Sequence, residues 1–405
     1  MKFSDVIAQA ETKKHLINMV KENRLSHALL FLNKPGSGGL PLARAFAQYL
    51  VCEKVNPSLT TNIHSGPSLF GDAEPMPEKI YPQDSCGECA ACKKAAEMVH
   101  PDIHYTYPVV TLKNANRPPI SSDYAVQWRN YMLENPYGNE FEWLQYIKAE
   151  NRQGNITVNE TEEIIKTMNL KSYESIYKIQ IIWMPEALGT NGNRLLKLIE
   201  EPAPNSLFIL VASNESKILP TILSRTQLIK IPALSNQEIA HELEARGLAT
   251  KEKAMSVALM SDGDYFEALQ LIQHTDGEQD QILRNWLNSI LKTGPMAQTK
   301  VIDEIAKMGR ERQKQFLQYF NHIIHQAIRI DTLGFDTAST AADFNTNELA
   351  EKMNRFSLAQ KEAIVNELDK ATYYIERNAN AKIQFHALTI RLYYIFGNKS
   401  LILVD

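Results

Sequence analysis

Two observations predict a parallel α/β domain joined to an all-α half. Between residues 27 and 234, short and nearly continuous apolar runs alternate with helix-like segments, as strands do when a parallel sheet is covered on both faces. After Leu234 no such run recurs, and helical patterns continue to about Phe396. A third observation places the first crossover. "HALLFL" (residues 27–32) leads into a glycine-rich turn and then into "LARAFAQYLV" (42–51), which is strand, turn and helix in order.

The elements follow along the chain. Residues 4–24 read as a helix, with Val6, Ile7, Leu16, Ile17, Met19 and Val20 at helical spacing. A polar, proline-rich stretch over 56–85 ends at a cysteine cluster, which opens a lysine-bearing helix over 92–99. Residues 100–110 read as a strand with loops. Residues 111–155, rich in Asn, Pro, Tyr and Trp, lack periodicity and read as an insertion or long surface connection. Asn159 followed by Glu162 is a capping-box signature for a helix starting there. Residues 178–184 and 206–213 read as buried strands, with a helix over 191–202 between them that stops near Pro202. Pro220 suits the first turn of a short helix, and 227–234 is the last strand. Ser235 is a candidate N-cap for the first helix of the second half. Breaks are expected near 275–278 and 332–343, and no internal repeat is visible.

A chain of 405 residues exceeds one hydrophobic core, so two or three domains are expected. The apolar fraction of 44% and charged fraction of 22% are those of an ordinary soluble globular protein. A net charge of -4 and a pI of 6.2 give no whole-chain footprint for nucleic acid. The first residues, "MKFSDVIAQAE", hold no apolar h-region, so no secretory signal is expected. No run approaches the roughly 18 apolar residues of a membrane span. A cytoplasmic location is the default expectation.

The four cysteines, Cys52, Cys86, Cys89 and Cys92, are clustered. In a reducing compartment such a set points to metal more than to disulfides. C-x2-C-x2-C with a distant Cys52 supplies four thiolates for tetrahedral Zn²⁺, and Gly87 eases the turn between Cys86 and Cys89. Closing the polar stretch between Cys52 and Cys86 costs little, because loop entropy grows with the logarithm of length. His100 is read as part of "HPD" and not as a ligand, since four thiolates fill the shell. The plain alternative is unliganded cysteines or a disulfide.

"NKPGSGGL" (33–40) resembles the phosphate loop G-x-x-x-x-G-K-[ST] with its chemistry removed. In a working loop the backbone N–H groups cradle phosphates, the lysine reaches the β- and γ-phosphates, and the hydroxyl holds Mg²⁺. Here the first glycine position holds Asn33, the second Gly38, the lysine position Gly39 and the hydroxyl position Leu40. Gly36 and Gly38 are left as a vestigial nucleotide loop. The alternative is a plain glycine turn.

"LSHALLF", this loop, the cysteine cluster, "HPDIH", "LLKLIEEPAPNSLFILVAS" and "ILPTILSRTQLIKIPAL" together resemble the bacterial DNA polymerase III clamp-loader AAA+ subunits. The likeness points above all to the delta-prime branch, in a Bacteroidetes-like form. It covers residues 3–52, 86–108 and 156–275; beyond 277 only helical character agrees. In the family the first two cysteines stand closer together than Cys52 and Cys86 do here.

The resemblance implies an AAA+ P-loop-type parallel-sheet domain over 1–234, with a zinc module around 52–92 and an insertion over about 111–155. A small helical lid over 235–276 and an all-α C-terminal collar domain over 277–405 would follow. The Asp-Glu pair that ends the third strand of active relatives is replaced by Trp183 and Met184, with Glu186 two residues further on. The nucleotide-sensing arginine of the lid is replaced by Phe266 in "GDYFEAL". "SRT" (224–226) matches the family's Ser-Arg-Cys motif. Arg225, with Ser224 beside it, is thereby implied to act in trans as an arginine finger; the alternative is a salt-bridged surface arginine.

The implied function is a non-hydrolysing delta-prime-type subunit in DNA replication, not an enzyme by itself. It would sit in a hetero-pentameric ring with gamma/tau-type ATPases and a delta-type subunit. That ring loads a sliding clamp onto primed DNA with ATP. The implied cofactor is structural Zn²⁺, with ATP binding at most vestigial and no membrane contact. Two readings compete: an active gamma/tau-type ATPase, and a zinc-dependent nucleic-acid-binding protein. "EEP" (200–202) reads as a helix C-terminal surface and not as a catalytic carboxylate pair, because no base or nucleophile accompanies it.

Overall fold

Apolar strands of this kind need cover on both faces, and the computed structural model of the chain supplies it. It describes residues 1–56, 81–110, 117–149, 152–273, 278–333, 344–377 and 379–397. The chain divides into two compact units, Met1–Glu238 with Gly263–Glu267, and Ile239–Asp262 with Ala268–Asp405.

The first unit is built on five parallel strands in the order β2-β3-β4-β1-β5. They are β1 (Ala28–Asn33), β2 (Ile103–Thr106), β3 (Lys178–Trp183), β4 (Ser206–Ala212) and β5 (Gln227–Ile231). Leu30 of β1 lies beside Leu210 of β4 and Leu228 of β5. Side chains alternate between two cores. Leu29, Phe31, Ile181, Trp183, Ile209 and Val211 join the helix Gly39–Val51 on one face. Ala28, Leu30, Ile182, Phe208 and Leu210 join Ile164 and Met168 of the helix Val158–Met168 on the other. Every residue of β3 and β4 is buried, so neither strand alternates between buried and exposed positions. At the edge, β5 exposes Gln227, Leu228 and Lys230 and buries Ile229 and Ile231.

Four sequence expectations for this unit need correction. The N-terminal helix is only Ala10–Lys21, preceded by a 3-10 turn at Phe3–Asp5. Ala8 and Gln9 have φ of 48° and 57°, so the chain breaks between them, while Val6 and Ile7 are apolar because they are buried. The cap of Val158–Met168 is Thr157, whose hydroxyl accepts from Glu160 N at 3.3 Å, and not Asn159. The helical segment expected over 191–202 begins at Pro185, turns sharply at Gly189 (φ 48°) and ends as Leu196–Glu200.

The expected surface connection also contributes to the core. Ser121–Tyr124 and the helices Ala125–Glu134 and Glu140–Tyr146 bury Trp128, Tyr131 and Trp143. The Trp143 ring stands edge-on to Trp128 at 5.0 Å and to Tyr107 at 5.2 Å, and its Nε1–H donates to Pro108 O at 2.7 Å. Short helices whose buried face is a few large aromatics carry too little 3.6-residue pattern to be read. Residues 57–80 of the polar stretch, 111–116 and 150–151 lie outside the described residues, as do 274–277 and 334–343 at the two expected breaks.

Among the described residues after Leu234 there is no strand, as expected. Ser235 caps Asn236–Ala245: its hydroxyl accepts from Glu238 N at 3.3 Å, and the Glu238 carboxylate accepts from Ser235 N at 2.8 Å. In the second unit, Glu278–Asn288, Pro295–Lys307, Arg310–Leu333, Phe344–Met353, Leu358–Glu376 and Ala381–Phe396 pack around Trp286, Phe316, Phe320 and Phe385. Trp286 Nε1–H donates to Thr389 Oγ1 at 2.9 Å. Lys361, fully buried, pairs with Asp331 and Asn354. Among the described residues no helix is long and apolar enough to cross a membrane.

Candidate functional site

In an open parallel sheet, ligands bind at the carboxyl ends of the strands, where the strand order reverses. That edge holds the loop after β1. Gly36 and Gly38 have φ of 64° and 95°, the left-handed region that glycine enters at little cost. The turn closes on itself through Ser37 N and Ser37 Oγ donating to Lys34 O at 3.2 and 2.7 Å.

The loop keeps this shape while its own chain packs onto it. A Cβ at Gly39 would lie 2.2 Å from Asn33 Oδ1, so Asn33 occupies the space a lysine there would need. Leu40 is buried in the core. A Cβ at Gly38 would meet the Tyr137 ring at 3.2 Å, and one at Gly36 would meet Asp264 Oδ1 at 1.8 Å. Tyr137 Oη accepts from Ile7 N at 2.8 Å, and its ring lies edge-on to Tyr265 at 5.1 Å. Tyr265 N in turn donates to Gly36 O at 3.3 Å. Gln9 Nε2 spans Ser37 O at 3.2 Å and Pro232 O at 2.8 Å.

Trp183, Met184, Glu186 and Phe266 are the other positions that the resemblance relates to nucleotide handling. Trp183 is buried 5.1 Å from Trp128. Met184 takes a left-handed φ of 56° at the strand exit. Glu186 Oε1 accepts from Ser213 N at 2.6 Å and Asn214 N at 2.7 Å, so its carboxylate fastens the end of β4. Nearby Glu140 has its carboxyl pushed up to about 7, by burial first and by the Glu186 charge second. Phe266 is buried.

The cysteines converge. Cys52 caps the C-terminus of Gly39–Val51, and Cys89 caps the N-terminus of Ala90–Ala96, accepting from Cys92 N at 3.4 Å. Cys86 N donates to Cys52 Sγ and Cys89 N to Cys86 Sγ, both at 3.4 Å. Gly87, at φ 73°, makes the turn. All four sulfurs lie within 4.8 Å of one another, and Cys86 and Cys92 are 3.8 Å apart. A tetrahedron of sulfurs about 2.3 Å from a central Zn²⁺ has edges of about 3.8 Å, so the donor set fits such an ion. The hydrogen bond between Cys52 and Cys92 pushes the Cys52 thiol down to about 4 and the Cys92 thiol up.

His100 lies apart from this set. Its Nδ1 accepts from Asp102 N at 3.1 Å, and its Nε2 faces Glu174 Oε1 at 3.2 Å. Asp102 accepts from the backbone of Tyr173, Glu174 and Ser175 at 2.5 to 2.8 Å, so "HPD" staples the segment before β3.

Arg225 follows the short helix Pro220–Leu223. Its Nε donates to Glu200 Oε1 at 2.6 Å, and its Nη2 forms an ion pair with the same oxygen at 2.5 Å. Nη1 donates to Thr221 O at 2.9 Å and to Ser224 Oγ at 3.3 Å. The side chain is 34% exposed and that of Glu200 46%. An ion pair this exposed contributes about 0 to 1 kcal/mol to stability. Tyr137 and Asp264 at the loop, and Glu200 at the arginine, are neighbours that spacing does not reveal, because each reaches its partner through the fold.

A parallel sheet ordered β5-β1-β4-β3-β2, with a glycine loop after β1 and helices beyond, defines a P-loop-type AAA+ domain. A profile of the family described as "DNA polymerase III, delta subunit" matches residues 8–65 and 75–235, more than half of the chain, and the chain belongs to that family. It is 24% identical to the DNA polymerase III subunit tau of Bacillus subtilis over 332 residues, covering 80% of this chain and 46% of that protein. It is 27% identical to subunit delta′ of the same organism over 237 residues, covering 58% and 51%. Subunit delta′ of Haemophilus influenzae is 35% identical over 89 residues, 22% of this chain and 27% of that one. The chain thus spans about half the length of the two Bacillus relatives. Among solved structures, a gamma subunit-related protein of Thermotoga maritima aligns over 95% of this chain and 99% of its own, at 14% identity and a TM-score of 0.39.

Proposed function

We propose that the chain is a non-hydrolysing, delta-prime-type subunit of a DNA polymerase III clamp loader. In this reading it hands Arg225 to the ATP site of a neighbouring gamma/tau-type subunit, in a ring that also holds a delta-type subunit. ATP use by that ring places a sliding clamp on primed DNA. One observation carries the reading: the chain closes its own glycine loop with Asn33, Tyr137 and Asp264, yet leaves the Arg225 side chain 34% exposed. A site without its lysine and hydroxyl lacks the groups that handle the γ-phosphate and Mg²⁺. A guanidinium near the surface suits stabilisation of a transferring phosphoryl group on another subunit. Zn²⁺ in the Cys52, Cys86, Cys89 and Cys92 cluster fixes the segment between the helices Gly39–Val51 and Ala90–Ala96 and takes no part in chemistry.

Reconstitution with the partner ATPase subunits tests this. Arg225→Ala should lower turnover at the facing ATP site by about 10³-fold or more and abolish clamp loading; unchanged activity removes the finger role. The likeness to the tau subunit over 80% of the chain favours a second reading, an active ATPase. Turnover by the isolated chain that survives Arg225→Ala would establish it instead.

A further inference from the structure

We propose that Glu200 is a positioning residue for Arg225, setting the orientation in which the guanidinium meets its target; this rests on the arginine-finger reading above. Glu200 is the last residue of the helix Leu196–Glu200, and Pro202 follows two positions on. It belongs to the "EEP" stretch, for which surface position alone gave no role.

The geometry is specific. A guanidinium presents five N–H groups in one plane. Glu200 Oε1 takes the Nε edge, accepting from Nε at 2.6 Å and pairing ionically with Nη2 at 2.5 Å. Thr221 O and Ser224 Oγ take Nη1 at 2.9 and 3.3 Å. The single N–H of Nε is therefore committed to the chain's own carboxylate, while Nη2, with two N–H groups, has one partner among the described residues. Held on its Nε edge, the plane cannot rotate about its long stem without losing both contacts. The outer Nη2–H is left as the donor for an incoming phosphate oxygen. An unheld arginine samples many rotamers and must be ordered at each turnover, and that ordering is part of the barrier. Ser224, next to Arg225, supplies the second fixed point through Oγ, which itself donates to Thr221 O at 3.2 Å.

The test uses the reconstituted complex and steady-state ATP hydrolysis. Glu200→Ala is expected to lower kcat about tenfold or more with KM for ATP little changed, because orientation acts on the transition state. Glu200→Gln keeps an acceptor oxygen at the same place and is expected to restore most of the rate. In an Arg225→Ala background, Glu200→Ala should add no further loss, since both act through one group. The proposal is overturned if Glu200→Ala leaves kcat within about twofold while Arg225→Ala abolishes it; the finger reading then stands alone. It is also overturned if Glu200→Gln loses as much as Glu200→Ala, or if the losses add in the double variant. If Arg225→Ala itself has no effect, the finger reading and the proposal fall together. Thermal melting of each variant separates a folding defect from a kinetic one, and the Gln variant keeps the test intact should Glu200→Ala fold poorly.

Discussion

The helix Gly39–Val51 meets two sites, one at each end. At its N-terminus is a loop whose backbone turn is intact while its chemistry-bearing positions hold Gly39 and Leu40. At its C-terminus is Cys52, whose sulfur joins three others within 4.8 Å. The loop's shape needs only left-handed backbone at Gly36 and Gly38, so it does not depend on the side chains at 39 and 40. A tetrahedral site has no such backbone-only form. Its geometry is the convergence of four side chains, and the structure brings all four together.

The largest expected effect is at the cysteine end. The protein should carry about one Zn²⁺ per chain, and Cys52→Ser should remove it, with a stability loss of about 5 kcal/mol or more, since structural zinc contributes on the order of 10 kcal/mol in small folds. Metal analysis and urea unfolding with and without chelator measure this. Metal-free protein that melts unchanged in chelator would erase the contrast between the two ends.

At the loop end, Leu40→Thr puts a hydroxyl into the core and should cost about 1 to 3 kcal/mol. Adding Gly39→Lys should not restore ATP turnover, because Asn33 and Asp264 still lie against the loop. Turnover by the double variant would show the closure to be superficial.

A smaller effect follows from Glu140, on the same sheet edge. Its carboxyl stays protonated to about pH 7 when folded, against an ordinary value of 4.5. The folded state therefore binds the extra proton. The stability this contributes is complete below about pH 4.5 and is lost as pH rises through about 7. Glu140→Gln should flatten the urea midpoint across that window. A midpoint profile identical to wild type would place the Glu140 carboxyl in water.

The smallest change is Asp264→Ala. The Asp264 carboxylate accepts from Glu267 N at 3.0 Å near the start of Tyr265–Gln273, and its loss should cost about 1 kcal/mol. Affinity for fluorescent ATP analogues is expected not to rise, because Gly39 and Leu40 remain. Binding gained by this one substitution would make Asp264 the sole barrier.

What the residues announced and what they hid divide along a physical line. β1, β3 and β4 were legible because burial on both faces makes them mostly apolar. The Ser235 cap and the cysteine turn were legible because both are local, closing within a few residues. Trp128 and Trp143 were not, since their short helices bury single large rings and not a stripe. Tyr137 against Gly38, Asp264 against Gly36 and Glu200 against Arg225 were invisible for a different reason. Each contact is made by folding, between segments whose spacing carries no period. Thr157 outcompeted Asn159 as a cap by a difference of two residues that pattern alone does not resolve.

The tryptophans give the molecule built-in optical labels. Three of the four, Trp128, Trp143 and Trp183, belong to the first unit, with Trp128 5.0 Å from Trp143 and 5.1 Å from Trp183. Trp286 stands in the second unit, 5.6 Å from Phe316. Emission from a Trp286→Phe variant comes from the first unit alone, and its difference from wild type reports the second. The melting of each unit can then be read by its own light, without separating the two.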